Sequence, residues 1–255
     1  MNVLELYKKL PKTNCGRCSQ KACMPFAVAV VKGDSDLAEC PALPAETVSA
    51  LGPSLVQGDW REELILKLSK EVQGLDFRAL AGGIGAELMD DGSLALKCLG
   101  RDFTVSPDGT IKTPGRTSPW IKILLLHYIR TAGREPLAGR WVSYSELRAG
   151  MVKASSFLRD CEEPLLQLLT RAYDKTVAAL MSMGAAQKAG FPTPHAWAIL
   201  LLPRVPVLIL YWPEEDDFPA KAQVLFDATA DRFLDAEALI FLGEGLVRNL
   251  EMMQH

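Results

Sequence analysis

The sequence predicts an α+β fold in two parts: a small, mostly helical module over residues 1–58 and a larger domain of antiparallel hairpins and helices over residues 59–255. Before Gly83, apolar residues recur at helical spacing. After Gly83, several short runs show the alternation of apolar and polar residues that is typical of strands. Most of these runs are joined by tight turns, which favours antiparallel pairing. No eightfold alternation of strands and helices follows residue 58, so a barrel of about 250 residues is excluded.

The N-terminal module is predicted to contain two helices. The first ends before Pro11, and the second runs from Met24 to Lys32. Residues 41–59 carry prolines and glycines around a short helix over 45–51. This composition predicts a linker between the two parts of the chain.

The larger domain is predicted from its turns and helix caps. An apolar stretch over residues 196–212 has the length of a membrane span, but Arg204 at its centre would cost about 2.5–3.5 kcal/mol in a bilayer. A hairpin that turns at this arginine is therefore predicted instead. Two further hairpins turn at residues 90–92 and 106–109. A long helix is predicted from Glu162 to Met183 with Asp160 as its cap.

Four of the six cysteines lie near the N-terminus with the spacing C-x2-C-x4-C-x16-C. The first three share one short loop, and the fourth comes from a separate turn. This layout favours a cubane iron–sulfur cluster, in which each iron takes one thiolate and a short loop supplies most of them. A proline follows the fourth cysteine, as in bacterial ferredoxin runs. The predicted ligands are Cys15, Cys18, Cys23 and Cys40.

Zinc and a disulfide pair are the alternatives for these thiols. Four thiolates also satisfy a tetrahedral zinc site, but structural zinc usually draws its ligands as two close pairs. Here the second half of the motif offers a single cysteine, Cys40. We favour a [4Fe–4S] cluster, and both alternatives stay open from spacing alone.

The residues around these cysteines resemble a known module. The runs Leu10–Cys18 and Ala22–Ala27 are similar to the small cluster-binding module of the corrinoid iron–sulfur protein large subunit. Similar modules occur in membrane-bound electron-transfer complexes. The resemblance implies that the four cysteines hold one [4Fe–4S] cluster. One departure is Ser19, where members of that family usually have glycine.

The larger domain also shows a resemblance. Residues 212–220, Val224–Asp227 and Leu234–Glu237 resemble an uncharacterised domain family that is often fused to the cluster module. That family implies no activity. The corrinoid-binding barrel of the large subunit is not expected here.

Composition narrows the class of protein. The net charge of −3 gives no indication of a nucleic-acid surface or an anionic membrane as partner. The first nine residues have no basic segment followed by an apolar one, so no signal peptide is visible. Six cysteines are too few for a disulfide scaffold, and oxygen-sensitive clusters favour reducing compartments. We expect a cytoplasmic protein without membrane insertion.

Other chemically reactive residues have ordinary structural interpretations. Cys98 is interpreted as a core thiol on a strand. Cys161 lies at the predicted start of the long helix, where a helix dipole lowers a thiol pKa, or it is an inert first-turn residue. His127 is interpreted as a packed residue in an apolar helix. The acidic run Glu214–Asp217 is either a solvated loop or a site for a hard cation or a basic partner.

Three functions compete at this point. The first is a one-electron carrier, in which Lys12, Arg17 and Lys21 flank the cluster and face a redox partner protein. The second is an enzyme whose site in the larger domain receives electrons from the cluster. The third is an accessory protein with a structural cluster. No familiar catalytic motif is present, and the resemblance favours a redox or accessory role in anaerobic one-carbon or corrinoid metabolism.

Overall fold

The computed structural model describes residues 3–32, 35–55, 60–115, 117–215 and 218–254. The α-helices are α1 Val3–Lys9, α2 Cys23–Lys32, α3 Ala45–Leu55, α4 Trp60–Gln73, α5 Phe77–Ile84, α6 Pro119–Thr131, α7 Gly150–Phe157, α8 Glu163–Arg171, α9 Tyr173–Ser182 and α10 Ala236–Met252. The strands are β1 Glu87–Leu88, β2 Leu94–Cys98, β3 Arg101–Val105, β4 Ile111–Lys112, β5 Trp141–Ser143, β6 Ala186–Gln187, β7 His195–Leu202, β8 Val205–Trp212 and β9 Lys221–Asp227. The predicted α+β class is confirmed.

The chain divides into two compact units, an N-terminal unit over residues 1–64 and a C-terminal unit over residues 65–255. The division falls within α4, and Asp59, the residue before this helix, lies outside the described residues. The predicted boundary after residue 58 lies outside them as well. Within the predicted linker, α3 continues to Leu55 and is longer than expected.

The N-terminal unit is helical, as predicted. Its apolar residues close around the N-terminal core, which consists of Leu6, Leu10, Cys23, Phe26, Ala27, Val30, Leu37 and Cys40. Leu6 lies in α1 and Leu10 follows this helix. The two residues lie at helical spacing, so both side chains reach the same core. Pro11 ends α1 because it cannot continue the helix.

The C-terminal unit contains two antiparallel sheets. Sheet A has the order β1-β2-β3-β4 and is built from the predicted hairpins at residues 90–92 and 106–109. Sheet B has the order β5-β9-β8-β7-β6, and its longest hairpin turns at Pro203 and Arg204 as predicted. Within the described ranges, no helix is long and apolar enough to cross a membrane.

Arg204 fixes the β7–β8 turn against the end of α5. Its Nε and Nη2 atoms donate to the carbonyls of Gly83 and Gly82 at 3.1 and 3.0 Å. Its backbone N–H donates to the hydroxyl of buried Tyr128, which in turn donates to Ile84 O. The turn therefore satisfies carbonyl groups that the end of a helix leaves unpaired.

The sequence pattern does not predict α5. Asp76 caps this helix by accepting from the N–H groups of Arg78 and Ala79. Gly85 ends it in the left-handed conformation, with φ of +69°. The glycines near its C-terminus hide the helical pattern in the sequence, which explains the omission.

The predicted helix over residues 162–183 is wrong in its bounds. Helical structure begins at Gly150, passes through a π-helical segment over Leu158–Glu162, and breaks at Ala172. Asp160 caps no helix there; its carboxylate pairs with Arg159 at 2.6 Å. The buried hydroxyl of Thr176 donates to Leu168 O at 3.0 Å and ties α9 to the end of α8.

The π-helical segment also serves the edge of sheet B. Strand β5 pairs with β9 at residues 225–227. Just before this pairing, the N–H of Val224 donates to the carboxylate of Glu162 at 2.8 Å. Glu162 therefore satisfies a backbone donor where β9 extends beyond β5.

Candidate metal centre

The loop between α1 and α2 carries the first two cysteines of the motif. Lys12, Asn14 and Gly16 have φ of 58°, 49° and 64°, in the left-handed region. A glycine adopts this conformation without strain, and asparagine tolerates it better than most residues. These three residues coil the chain tightly, so the loop supplies Cys15 and Cys18 within a short length.

Asn14 ties this loop to the start of α2. Its side-chain oxygen accepts from the backbone N–H of Cys23 at 2.9 Å. Cys23 is the first residue of α2, where backbone N–H groups lack helical partners. The contact fixes the third cysteine of the motif relative to the first two.

Cys40 follows a short 3₁₀ turn over Leu37–Glu39. Asp36 caps this turn by accepting from Ala38 N–H at 2.8 Å, and Glu39 accepts from Asp36 N–H at 2.9 Å. This reciprocal pair is a capping box. It delivers Cys40 to the N-terminal core, where the residue is 7% exposed.

The four cysteines differ in burial. Cys23 and Cys40 belong to the N-terminal core, and Cys18 packs against it. The Cys18 thiol donates to Gln20 O at 3.3 Å. Cys15 is exposed. The motif therefore has a side embedded in apolar residues and a side open to solvent.

Polar groups act on the Cys15 thiol at the open side. The backbone N–H of Arg17 lowers the pKa of this thiol, and the Thr13 side chain and the Arg17 guanidinium act in the same direction. These contacts favour an anionic sulfur at Cys15. Two further cations of the loop are exposed: Lys12, which lies over the ring of Tyr7 at 5.6 Å, and Lys21.

The structure does not gather the predicted ligands into a formed site. Across the described residues, no group of three or more Cys, His, Asp or Glu side chains is placed to hold a metal ion. The donor set nevertheless fits the group that the spacing predicts, because all four thiols are free and three of them contact one apolar core. The ligand set stays a prediction from the sequence.

The two remaining cysteines lie apart from this motif. Cys98 is 0% exposed, and burial raises the pKa of its thiol to about 12. Burial also raises the pKa of Cys161, which lies within the π-helical segment with its thiol toward Ile240 O. The expected core role of Cys98 is confirmed, and the possibility that a helix dipole lowers the pKa of Cys161 is wrong.

The described histidines have protein partners. His127 lies between Asp235 and Arg130, each at 3.4 Å, and burial lowers its pKa. His195 contacts the hydroxyl of Tyr173 at 2.7 Å. The third histidine, His255, lies outside the described residues. In the acidic run, Glu214 and Glu215 are exposed, and residues 216–217 lie outside the described ranges.

Sequence reasoning missed the residues that position the cysteines. The role of Asn14 is predictable in principle, because asparagine often adopts left-handed conformations and caps helices. The capping box of Asp36 and Glu39 was visible as an acidic pair at the correct spacing. Both signals are local and were available from the sequence.

Comparison with known proteins gives one family match for the N-terminal stretch and another for the C-terminal unit. Residues 10–42 match the family described as "Putative Fe-S cluster". Together with the relatives below, this match supports an iron–sulfur cofactor. Residues 76–249 match the family described as "Domain of unknown function (DUF3786)". The chain belongs to this DUF3786 family.

The curated relatives are subunits with longer chains. The acetyl-CoA decarbonylase/synthase complex subunit gamma of Methanothermobacter thermautotrophicus is 31% identical over 77 residues, which cover 30% of this chain and 14% of that protein. The corrinoid/iron-sulfur protein large subunit of Moorella thermoacetica is 47% identical over 38 residues, 15% of this chain and 8% of that protein. The predicted resemblance is confirmed, but it spans a small part of these relatives. No solved structure matches the chain.

Proposed function

We propose that this chain is a [4Fe–4S] protein of anaerobic one-carbon metabolism that passes single electrons to a partner protein. The observation that carries the proposal is the C-x2-C-x4-C-x16-C spacing within the stretch that matches the iron–sulfur family. The names of the relatives, an acetyl-CoA decarbonylase/synthase subunit and a corrinoid/iron-sulfur protein, support the one-carbon setting.

The proposed ligands are Cys15, Cys18, Cys23 and Cys40. Four thiolates match the four irons of a cubane, which when bound supplies one-electron chemistry. The six free thiols of the chain suit the reducing cytoplasm that we propose as its location.

The surroundings of the cysteines favour different roles for the two sides of the motif. Around Cys23 and Cys40, the side chains of Leu6, Leu10 and Phe26 exclude water. Solvent exclusion and hydrogen bonds to sulfur both influence the potential of an iron–sulfur centre. The exposed Cys15 side is open to another protein.

The exposed cations define the partner that this side fits. Lys12, Arg17 and Lys21 are all exposed and lie on the loop that carries Cys15 and Cys18. They would attract an acidic surface and steer it toward the exposed thiolate. A redox partner with an acidic docking face is therefore proposed.

The ligand assignment is tested by metal analysis of anaerobically purified protein. Alanine substitution of Cys15, Cys18, Cys23 or Cys40 should remove the cluster, measured as iron, sulfide and the EPR signal of the reduced protein. Cys98→Ala and Cys161→Ala are matched controls, because these buried thiols lie outside the motif. Full iron retention in Cys40→Ala, or stoichiometric zinc instead of iron, would contradict the assignment.

Electron transfer is tested separately by stopped-flow reduction with an acidic ferredoxin. Arg17→Glu combined with Lys21→Glu should slow the transfer about tenfold at low salt, because steering by charges is lost. The difference should shrink as salt screens the exposed charges. Lys188→Glu, an exposed lysine of the C-terminal unit, is the control. If the cluster forms but this donor never reduces it, only a structural role is left.

A further inference from the structure

A cleft of about 520 Å³ opens in the C-terminal unit beside sheet A. Small-molecule sites in proteins commonly have volumes of about 300–1,000 Å³. The cleft is lined by sheet A, by the residues after α9 and by the end of β7, and no cysteine is among its described lining residues. It is therefore distinct from the candidate metal centre.

The wall that sheet A provides carries opposite charges. Lys97 and Asp102 face each other on β2 and β3, with Nζ and Oδ1 3.5 Å apart. Glu87 lies opposite Ala95 on the same face, since residues two apart on a strand share a face. The Lys97 and Asp102 side chains are 71% and 74% exposed, so their attraction is weak. A cation from a ligand can take the place of Lys97 beside Asp102.

The residues at the end of α9 also line the cleft, among them Met183 and Gly184. The carbonyls of Ala179, Leu180 and Met181 in the last turn of this helix already accept backbone N–H groups, so the charge of the cleft comes from its side chains. Among the described lining residues, the two carboxylates of Glu87 and Asp102 outweigh the single ammonium of Lys97.

Another part of the lining is apolar. Leu200 lines the cleft and is 55% exposed, and Leu202 and Pro203 also line it. The pairing of β7 with β8 shifts register between Leu200 and Leu202. Irregularities of this kind re-aim side chains and occur often beside functional sites. The cleft therefore combines an apolar part with a charged part.

From this combination we infer that the cleft binds a small organic amine, with its ammonium group at Asp102 and its apolar body against Leu200. The carboxylate of Glu87 adds negative charge to the same sheet face. Lys97 is displaced from Asp102 when the amine binds. The inference concerns the C-terminal unit alone and does not depend on the proposed cluster.

The test compares n-hexylamine, n-hexanol and hexanoate, which share one alkyl chain and differ in the head group. Binding to the full-length protein is measured at neutral pH by ligand-observed NMR and by amide chemical-shift mapping. The amine should bind about fivefold tighter than the alcohol, the size of a modest charge contact, and hexanoate should bind more weakly than either. The amides of Gly100 and Gly184, which line the cleft, should shift.

The double variant Glu87→Gln, Asp102→Asn should lose the preference for the amine, and Leu200→Ser should weaken the amine and the alcohol alike. Glu251→Gln is the control, because this exposed glutamate does not line the cleft. Equal binding of amine and alcohol, or a preference that survives in the double variant, would overturn the inference. Amide mapping on the unchanged protein decides the question if a variant fails to fold.

Discussion

The two units of this chain place their candidate functional residues in different surroundings. In the N-terminal unit, Cys23 and Cys40 are part of the core itself, and the loop before them is coiled by left-handed residues. In the C-terminal unit, the buried residues are mostly aliphatic and aromatic, and the cleft charges Lys97 and Asp102 lie on an exposed sheet face.

The difference indicates two sources of stability. A core of this size in the N-terminal unit gives little stability unless a metal or another cross-link supplements it. Most of the buried apolar residues lie in the C-terminal unit, so we expect this unit to fold on its own core. A change to the metal should therefore act on one unit, and a change to the aromatic core on the other.

Removing iron is expected to act on all of α1 and α2 and to separate the two units. Helices α1 and α2 should exchange amide hydrogens about a hundredfold faster or more, because a group bound at roughly a hundred times its dissociation constant adds about 2.7 kcal/mol. Strands β7–β9 should keep their protection and serve as the internal control. Hydrogen exchange with mass spectrometry measures both. If α1 and α2 keep their protection from exchange without iron, the predicted difference between the two units is contradicted.

A matched pair of phenylalanine substitutions should separate the units by mechanism. Phe26 and Phe226 are 1% and 0% exposed, so Phe26→Ala and Phe226→Ala should each cost about 3–5 kcal/mol. Phe26→Ala should lower iron content, because the N-terminal core includes Cys23 and Cys40. Phe226→Ala should lower the Tm of the C-terminal unit while iron is retained. Equal iron loss in both variants would contradict separate cores.

Asp227→Asn should destabilise the C-terminal unit by about 2–3 kcal/mol. The buried carboxylate accepts from Ala138 N–H, Gly139 N–H and the Thr229 hydroxyl at 3.0, 2.7 and 2.6 Å. An amide nitrogen in place of one oxygen would face a donor. Chemical denaturation measures the loss, and Asp102→Asn on the exposed face is the control. A loss of similar size in both variants would count against the buried network.

The carboxylate of Asp227 should also make the stability of the C-terminal unit depend on pH under acidic conditions. Burial alone would raise the pKa of Asp227, but the bonds from Thr229, Ala138 and Gly139 outweigh burial and lower it. Stability from a lowered carboxyl pKa is present above the unfolded value of about 3.9 and is lost as pH falls through the folded value. The slope of unfolding free energy with pH below about 4 should therefore be shallower in Asp227→Asn.

Arg204→Lys is expected to have the smallest effect, a loss of about 1 kcal/mol from the C-terminal unit. A lysine ammonium has one nitrogen and lacks the planar fork of arginine, so it cannot reproduce the two bonds that Nε and Nη2 make to Gly83 O and Gly82 O. Iron content should not change. Arg171→Lys, an exposed change at the end of α8, should leave the Tm unaltered.

Local signals account for most of what the sequence predicted. The turns at Asp90–Gly92 and at Pro203–Arg204 carry residues that favour tight turns, so the hairpins followed from composition. The break at Ala172 and the start of helical structure at Gly150 lack such signals, since Ala149 and Ala172 make no side-chain cap. Packing within the C-terminal unit decides both, and no local pattern reports it.

The two candidate sites also differ in how far the sequence predicts them. Cysteine spacing predicts a ligand set because a short motif carries the chemistry within a few dozen residues. The cleft could not be predicted, because it joins Glu87, Asp102 and Leu200 from different strands. Only the fold brings these residues to one opening.

The contact between Glu162 and Val224 has a consequence for association between molecules. An unpaired strand edge is a template on which another chain can add a strand and begin an aggregate. At Val224 the donor that an incoming strand would need is already taken by a carboxylate from the π-helical segment. A second chain would have to displace this carboxylate to pair with β9 at Val224, so the segment that interrupts the helix also covers this part of the strand edge.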